Sequence, residues 1–262
     1  MSVLEQFSLK GKTALVTGGA GLYGRQIVEA LAEAGARTVM ASRNLDQLQA
    51  QAEEFRQRGL DVHARQLDQG EEPSILALRD ELLETFGQVD VLVNNAVLRA
   101  LKQGWDSPAE QFELSMRINV TGVFLMTRAF GDVMARRGSG SIINIGSIQG
   151  MVGPDYTLYE GLNMGSSPDY FVHKGAMNQL TRFAAAHLGP SGVRVNTVSP
   201  GGLYNEQNPQ HPTFIERYDQ RTFLGRMANN SDLKGAIVFL ASDASAYVTG
   251  ANLPVDAGYT AK

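Results

Sequence analysis

Cysteine is absent from this 262-residue sequence, which excludes disulfide bonds, cysteine nucleophiles and thiolate metal sites. No two of the four histidines have the spacing of a metal-binding pair, so we expect no bound metal. No apolar run approaches the roughly 18 residues that predict a transmembrane helix. The N-terminal segment also lacks a signal-peptide core. We therefore expect a cytoplasmic protein that does not enter a membrane.

An excess of charge of one sign is also missing. Lysine and arginine total 23 against 27 aspartate and glutamate residues, and no run of five like charges occurs. The balance gives no electrostatic support for a nucleic-acid partner or an anionic membrane. Hydrophobic residues make up 43% of the chain, which permits a sizeable core and excludes disorder as the main state.

Short apolar runs alternate with longer segments of helical period along the whole chain. Such alternation is typical of parallel sheets covered by helices. It predicts one doubly wound α/β domain over 1–262, with a seven-stranded, mostly parallel sheet and helices on both faces. The predicted strands are 13–17, 37–41, 62–67, 89–93, 141–145, 193–198 and 252–255. The predicted helices are 25–34, 45–58, 72–86, 107–137, 169–188 and 231–242.

Two segments, at about 151–168 and 202–226, show neither period. Each follows the carboxyl end of a predicted strand, where open α/β sheets bind their ligands. Loops of this length in a compact domain are commonly functional. We therefore expect both segments to contribute to a substrate site.

A glycine-rich turn, Thr17-Gly-Gly-Ala-Gly-Leu-Tyr-Gly24, lies between the first strand and the first helix. In this position glycines allow a backbone to approach a dinucleotide pyrophosphate at a helix N-terminus, although a tight turn without a ligand is the alternative. Arg43 lies 19 residues after Gly24, and the first acidic residue beyond it is Asp46. An arginine here favours NADP over NAD, unless Arg43 is only a solvated cation.

The later part of the chain contains Tyr170-Phe-Val-His-Lys174 at the start of a predicted helix. This tetrad follows the glycine turn, Asn94-Asn-Ala96, Asn119 and Ser147, and it precedes Pro200-Gly201. In this order the motifs resemble those of the short-chain dehydrogenase/reductase family, in its branch of about 250 residues. The resemblance covers nearly the whole chain and implies a single Rossmann domain, a nicotinamide cofactor and hydride transfer to or from a small-molecule substrate.

The resemblance implies four catalytic residues. Tyr170 would be the general acid/base, Lys174 its modulator and a ribose ligand, Ser147 would orient the substrate oxygen, and Asn119 would complete a proton relay. Tyr170 and Lys174 share one helix face. Because a free tyrosine has a pKa of about 10, a nearby ammonium is needed to favour the phenolate. The cofactor residues that it implies are Gly18, Gly21, Leu22, Tyr23, Gly24, Ser42, Arg43, Asp68, Asn95, Ala96, Lys174, Pro200, Gly201 and Leu203.

The sequence departs from the family pattern at several positions. Leu22 and Val97 stand where the short branch usually has glycine. Ser147 precedes Tyr170 by 23 residues, about ten more than usual, so an insertion lies within 151–168. Because both ends of this insertion are tied to the reaction centre, we expect it to form a wall of the substrate pocket. Ser166 or Ser167 is the alternative orienting hydroxyl.

The loops expected around the pocket are rich in polar side chains. They predict a sugar, polyol or sugar acid as substrate, although loops are also polar for solubility. The polar residues concerned are Arg99, Asp155, Tyr156, Tyr159, Glu160, Asn163, Tyr204, Asn205, Glu206 and Gln207. If Tyr156 and Glu160 line the pocket, changing them should raise KM for the substrate.

Two functions of other classes compete with this prediction. A sugar-nucleotide epimerase would explain the glycine pattern, but such enzymes need a further substrate domain. A non-enzymatic nucleotide sensor would keep the glycine turn but does not need Tyr170 with Lys174. The resemblance also implies a homotetramer or homodimer, and the apolar surface of 107–137 is consistent with association.

Overall fold

Seven parallel strands form a single sheet in the computed structural model, which describes residues 2–261. They are β1 (Thr13–Thr17), β2 (Arg37–Ser42), β3 (Val62–Gln66), β4 (Val91–Asn94), β5 (Gly140–Ile145), β6 (Val193–Pro200) and β7 (Asn252–Val255). Their order is β3-β2-β1-β4-β5-β6-β7, and every neighbouring pair is parallel. The seven predicted strands are confirmed, and the sheet is wholly rather than mostly parallel.

Nine α-helices accompany the sheet within residues 2–261. They are α1 (Val3–Gln6), α2 (Leu22–Glu33), α3 (Leu45–Gln57), α4 (Glu72–Phe86), α5 (Ala109–Met116), α6 (Gly122–Arg137), α7 (Pro168–Leu188), α8 (Pro212–Asp219) and α9 (Lys234–Ala241). None of the helices in this part of the chain is long and apolar enough to span a bilayer.

Three details of the helix prediction were wrong. Helix α2 begins at Leu22, so the last residues of the glycine turn already form its first turn. The predicted helix 107–137 is divided by a π-helical segment, Arg117–Thr121, that joins α5 to α6. Helix α8 lies inside 202–226, which we expected to be irregular. Pro212 at the start of α8 fits the first helical turn, where no backbone N–H is required.

The sheet separates two apolar cores. On β1, Val16 packs with Ile27 of α2 on one face, whereas Leu15 belongs to the opposite core with Phe130 of α6. Helices α2, α3 and α9 cover the first face, and α4, α6 and α7 cover the second. Because successive side chains point to opposite faces, a strand covered on both sides must be apolar throughout. This is why every residue of β1 and β4 is buried.

Strand order reverses between β1 and β4, and this reversal determines where a ligand can bind. From β1 the chain proceeds outward through β2 and β3, then returns to the other side of β1 at β4. The loops that leave β1 and β4 therefore diverge and open a crevice at the carboxyl edge of the sheet. Segment 151–168 follows β5 and segment 202–226 follows β6, so all four loops meet at this edge.

Candidate active site

A cleft of about 790 Å³ occupies the carboxyl edge of the sheet. The glycine turn after β1 lines it at one end, and Ser147 and Tyr170 line it as well. Residues from both irregular segments, 151–168 and 202–226, complete its lining. The cleft thus brings together the two sequence motifs that we singled out, although more than 120 residues separate them in the chain.

The glycine turn is too tightly packed for side chains at Gly18, Gly19 and Gly24. Gly18 has a φ of 66°, and a Cβ there would lie 2.8 Å from the Cα of Ala96. A Cβ at Gly24 would lie 2.1 Å from the carbonyl oxygen of Gly18. Gly21 is the N-cap of α2 and offers no side chain to its first N–H groups. The turn therefore presents backbone donors and the positive end of the helix dipole, which suit a phosphate group.

Thr17 and Asn95 hold the glycine turn against the loop after β4. The Thr17 hydroxyl accepts hydrogen bonds from the backbone N–H groups of Asn95 and Ala96, both at 3.0 Å. The Asn95 side chain donates to the carbonyl oxygens of Thr17 and Gly18, also at 3.0 Å. Asn95 thus lines the cleft while its amide nitrogen fixes the shape of the turn.

Most of the predicted cofactor residues line the cleft. These are Gly18, Gly21, Leu22, Tyr23, Gly24, Ser42, Arg43, Asp68, Asn95, Ala96, Gly201 and Leu203. Pro200 and Lys174 are not among the lining residues, because Pro200 ends β6 and the Lys174 side chain is buried. The Tyr23 hydroxyl donates to the carbonyl oxygen of Gly201 at 2.7 Å. Burial raises the pKa of Tyr23, so this phenol keeps its proton.

Two basic side chains lie close to the Tyr170 ring. The Lys174 ammonium is 5.6 Å from the centroid of the Tyr170 ring, and the Arg99 guanidinium carbon is 3.4 Å from the same centroid. Lys174 donates a hydrogen bond to the carbonyl oxygen of Ile145. Burial, with a smaller contribution from Arg99, lowers the pKa of Lys174 to about 7. The sequence did not indicate that Arg99 would contact Tyr170.

The hydroxyl groups of Ser147 and Ser167 differ in their hydrogen bonds. Ser147 follows β5, and its oxygen accepts the backbone N–H of Gln149 at 3.1 Å, which leaves its hydrogen available to a substrate oxygen. Ser167 donates its hydrogen to the carboxylate of Asp169. Ser166 and Ser167 also line the cleft. The hydrogen bonds favour Ser147 over Ser167 as the orienting donor.

Asn119 is in the π-helical segment, and its side chain holds the loop after β4. Its oxygen accepts the backbone N–H of Leu98, and its nitrogen donates to the Leu98 carbonyl, both at 2.8 Å. The same nitrogen donates to the Ser115 hydroxyl at 3.0 Å, which in turn donates to Asp169 at 2.6 Å. Sequence reasoning missed Ser115 and Asp169, because only the packing of α5 against α7 brings them together.

His173 is a further buried group beside the reaction centre that we did not predict. Its ring lies edge-on to Tyr170, with ring centroids 5.0 Å apart. Within residues 2–261, neither of its ring nitrogens has a hydrogen-bond partner. Burial lowers the pKa of His173 to about 3, so the imidazole is neutral at physiological pH.

The insertion between Ser147 and Tyr170 forms one wall of the cleft together with α8. Leu158 is buried in an apolar cluster with Phe214 and Tyr218 of α8. Tyr159 stacks on Phe214 with ring centroids 5.6 Å apart, and Asp155 forms an ion pair with Arg221 at 2.9 Å. The two irregular segments therefore pack as one unit, in agreement with our expectation of a wall.

Most of the polar residues of the expected pocket loops do not line the cleft. Arg99, Asp155 and Tyr159 line the cleft. Tyr156 and Glu160 do not, and both side chains are exposed. The other expected residues that do not line the cleft are Asn163, Tyr204, Asn205, Glu206 and Gln207. A loop without a period gives no indication of which side chains face inward.

Comparison with known proteins determines the family. A family model described as "Enoyl-(Acyl carrier protein) reductase" matches residues 21–260. The chain belongs to the short-chain dehydrogenase/reductase family. Members of this family bind NAD(P), and the glycine turn and the uncapped start of α2 fit such a dinucleotide. The protein is accordingly a short-chain dehydrogenase/reductase enzyme.

Several short-chain dehydrogenases/reductases align with the chain over nearly its full length. Galactitol 2-dehydrogenase (L-tagatose-forming) of Cereibacter sphaeroides is 35% identical and covers 97% of both chains. A 3-alpha-(or 20-beta)-hydroxysteroid dehydrogenase of Mycobacterium bovis is 36% identical, covering 97% of this chain and 91% of that one. The crystal structure of a gluconate 5-dehydrogenase from Burkholderia cenocepacia in complex with NADP and tartrate has 32% identity, full coverage of both chains and a TM-score of 0.89.

Because Lys174 is buried, we expect the free energy of unfolding of the cofactor-free enzyme to depend on pH. From about pH 7 to pH 10.5 the unfolded chain holds a proton on Lys174 that the folded chain has released, so stability rises with pH in this window. Below about pH 7 both states carry the proton, and the full cost of burial remains. Lys174→Met should therefore stabilise the fold more near pH 6 than near pH 9, by about 2–3 kcal/mol.

Urea unfolding at the two pH values measures this difference. The control is Lys10→Met, which removes an ammonium from the exposed surface. If Lys174→Met changes the free energy of unfolding equally at both pH values, burial does not disfavour the charged form of Lys174.

Proposed function

We propose that this enzyme transfers a hydride between NADP(H) and a secondary alcohol or ketone carbon of a sugar, polyol or sugar acid. The observation that carries the proposal is the single cleft that holds a dinucleotide-type glycine turn and, beside it, Ser147 and Tyr170. Bound NADP⁺ supplies the hydride acceptor, while the protein provides position and proton transfer. In this reaction the alcohol loses a hydride from its carbon and a proton from its oxygen.

Each catalytic side chain has a separate part in this proposal. Ser147 donates its hydroxyl hydrogen to the substrate oxygen and orients it. Tyr170 accepts the hydroxyl proton as the alcohol is oxidised and returns it to the carbonyl oxygen in the reverse direction. The Lys174 ammonium favours the phenolate of Tyr170. Asn119 positions the loop after β4 through Leu98, and the relay role that the resemblance implies for Asn119 stays a prediction.

The charge of Arg99 supports a polar rather than a steroidal substrate. The names of the relatives include both classes, galactitol and gluconate on one side and a hydroxysteroid on the other. An apolar ligand against Tyr170 would bury the guanidinium of Arg99 without a counter-charge. Burying an unpaired ion costs several kcal/mol, whereas a polyhydroxylated ligand supplies oxygen acceptors.

Removing the Tyr170 hydroxyl should abolish the chemical step while preserving the cofactor site. We expect Tyr170→Phe to lower kcat by at least about 10²-fold, since proton transfer by a positioned side chain contributes about 10²–10⁴-fold. Dissociation constants for NADP⁺, measured by fluorescence, should stay within a factor of about three. Steady-state assays with sugars, polyols and sugar acids test the loss.

The same assay should distinguish Ser147 from Ser166 and Ser167. Ser147→Ala removes the proposed orienting donor and should lower kcat, whereas Ser167→Ala and Ser166→Ala should retain most of the activity. Full turnover by Ser147→Ala would indicate that Ser166 or Ser167 orients the substrate oxygen instead.

Arg43 supports NADP as the cofactor, with NAD as the alternative. It lines the cleft after β2 and, within residues 2–261, forms no ion pair with a carboxylate. The ribose 2′-phosphate is an anion that a guanidinium can bind with two hydrogen bonds. Arg43→Gln should raise KM for NADP⁺ by about 10–100-fold and change KM for NAD⁺ by less than about threefold. Equal effects on both cofactors would contradict the assignment.

Apolar side chains on α5, α6 and α7 support a homotetramer, with a homodimer as the alternative. Leu114, Phe124, Val172 and Phe183 expose 40–68% of their surface on these helices. We expect light scattering to give a mass above that of one chain. Phe183→Glu should lower this mass, because association would bury its carboxylate. Trp105→Glu is the matched control, since Trp105 is 85% exposed but lies outside these helices.

A further inference from the structure

Arg99 lines the cleft and is held in a defined position beside Tyr170. Its guanidinium stacks on the Tyr170 ring, with 3.4 Å between the guanidinium carbon and the ring centroid. The preceding residue, Leu98, is fixed through both its backbone N–H and its carbonyl by Asn119. The Arg99 carbonyl also accepts a hydrogen bond from the Lys102 ammonium at 3.2 Å. Contacts at the backbone and at the side-chain end thus limit the freedom of this arginine before any ligand binds.

Arg99 has no carboxylate partner among residues 2–261. Elsewhere, many arginines pair with an acidic side chain, as Arg221 does with Asp155 and Arg226 with Asp232. Two arginines line the cleft in the described part of the chain, Arg43 and Arg99, and neither is paired in this way. Arg43 is assigned above to a phosphate of the cofactor. Arg99 is the corresponding unpaired cation beside Tyr170.

The acidic groups near Tyr170 are already engaged. Asp155, the only carboxylate that the insertion contributes to the cleft lining, is neutralised by Arg221 and accepts two hydrogen bonds from Thr157. Asp169 is fully buried and accepts the hydroxyl hydrogens of Ser115 and Ser167. Lys174 adds a second positive group on the Tyr170 ring. Neither carboxylate forms an ion pair with Arg99, so among the described residues its guanidinium has no acidic partner in the cleft.

We propose that Arg99 binds a carboxylate of the substrate, so that the enzyme acts on hydroxy acids of the sugar-acid type in preference to neutral sugars and polyols. This inference rests on the proposed function and narrows it. The planar fork of a guanidinium donates hydrogen bonds to both oxygens of a carboxylate, and stacking on Tyr170 places that fork beside the residue that moves the proton. A carboxylate at Arg99 thereby orients the hydroxyl carbons of the same molecule toward Tyr170 and Ser147.

The effect of Arg99 on its neighbours is consistent with an anionic ligand. The charge of Arg99 contributes to the lowered pKa of both Lys174 and His173. A bound carboxylate would offset that charge and favour the ammonium form of Lys174. Binding the substrate and preparing the lysine for catalysis would then be coupled through one arginine.

Matched pairs of compounds test the proposal. D-Gluconate with D-glucitol, and D-galactonate with galactitol, share their carbon chain and inner hydroxyl stereochemistry and differ in a carboxylate against a hydroxymethyl group. Both members of each pair are assayed with the wild-type enzyme, Arg99→Gln, Arg99→Lys and Arg136→Gln. The last variant is the control, because it removes an exposed arginine charge at the end of α6, outside the cleft.

We expect the wild-type enzyme to have a kcat/KM at least about tenfold higher for the acid than for its matched polyol. Arg99→Gln should lower kcat/KM for the acid by about 10–100-fold, mainly through KM, and change that of the polyol by less than about threefold. Arg99→Lys should keep part of the preference, and Arg136→Gln all of it. An equal loss of kcat for acid and polyol would show that Arg99 acts on Tyr170 instead and would overturn the proposal.

A binding measurement separates this inference from the proposed function. Tyr170→Phe keeps the ring on which Arg99 stacks but cannot transfer the proton, so its complex with NADP⁺ can be titrated calorimetrically with each compound. The proposal requires the acid to bind at least about tenfold more tightly than the polyol, and Arg99→Gln to remove the difference. Acid and polyol binding equally well, or neither binding, overturns it. Selective binding of acids with no turnover by the wild-type enzyme would overturn hydride transfer to these compounds but keep Arg99 as a carboxylate site.

Discussion

The side chain of Asn119 joins three segments at the reaction end of the cleft. Its amide forms two hydrogen bonds with the Leu98 peptide groups and a third with Ser115, which is bonded to Asp169 at the start of α7. The loop after β4, the π-helical segment and the helix that carries Tyr170 are therefore linked through one amide. Changing its position would move Arg99 and Tyr170 together, so the geometry of the site depends on this contact.

The π-helical segment has a physical role in that arrangement. A π turn leaves the regular helical hydrogen-bond pattern, and such turns are common at functional sites. Here the Gln69 side chain donates to the carbonyl oxygen of Ile118 at 3.0 Å, inside the segment. Gly122, directly after it, allows close contact, since a Cβ there would lie 2.5 Å from the Gln69 carbonyl oxygen. The segment is thus supported by the chain that leaves β3.

The sheet was predictable because strands buried on both faces are apolar throughout, as Leu15 and Val16 illustrate on β1. The motif residues Tyr170 and Ser147 were predictable as neighbours, because both follow the same edge of the sheet. Helix α8 was not, because its apolar residues Phe214, Ile215 and Tyr218 span little more than one turn and follow a stretch of asparagines and prolines. Tyr159 lines the cleft and Tyr156 does not, and Arg99 contacts Tyr170. Both features depend on tertiary packing, which cannot be predicted from the neighbouring residues in the sequence.

The hydrogen bond from the Tyr23 hydroxyl to the Gly201 carbonyl joins two parts of the cleft lining that are 178 residues apart in the sequence. At the ribosome, synthesis proceeds at about 5–20 residues per second, so roughly 9–36 seconds pass between the two partners. During that interval the glycine turn contacts the loop after β4 but lacks the Gly201 side of the cleft, and β7 does not yet exist. Binding of a dinucleotide can therefore use this wall of the cleft to stabilise the nascent chain only after Gly201 has been synthesised.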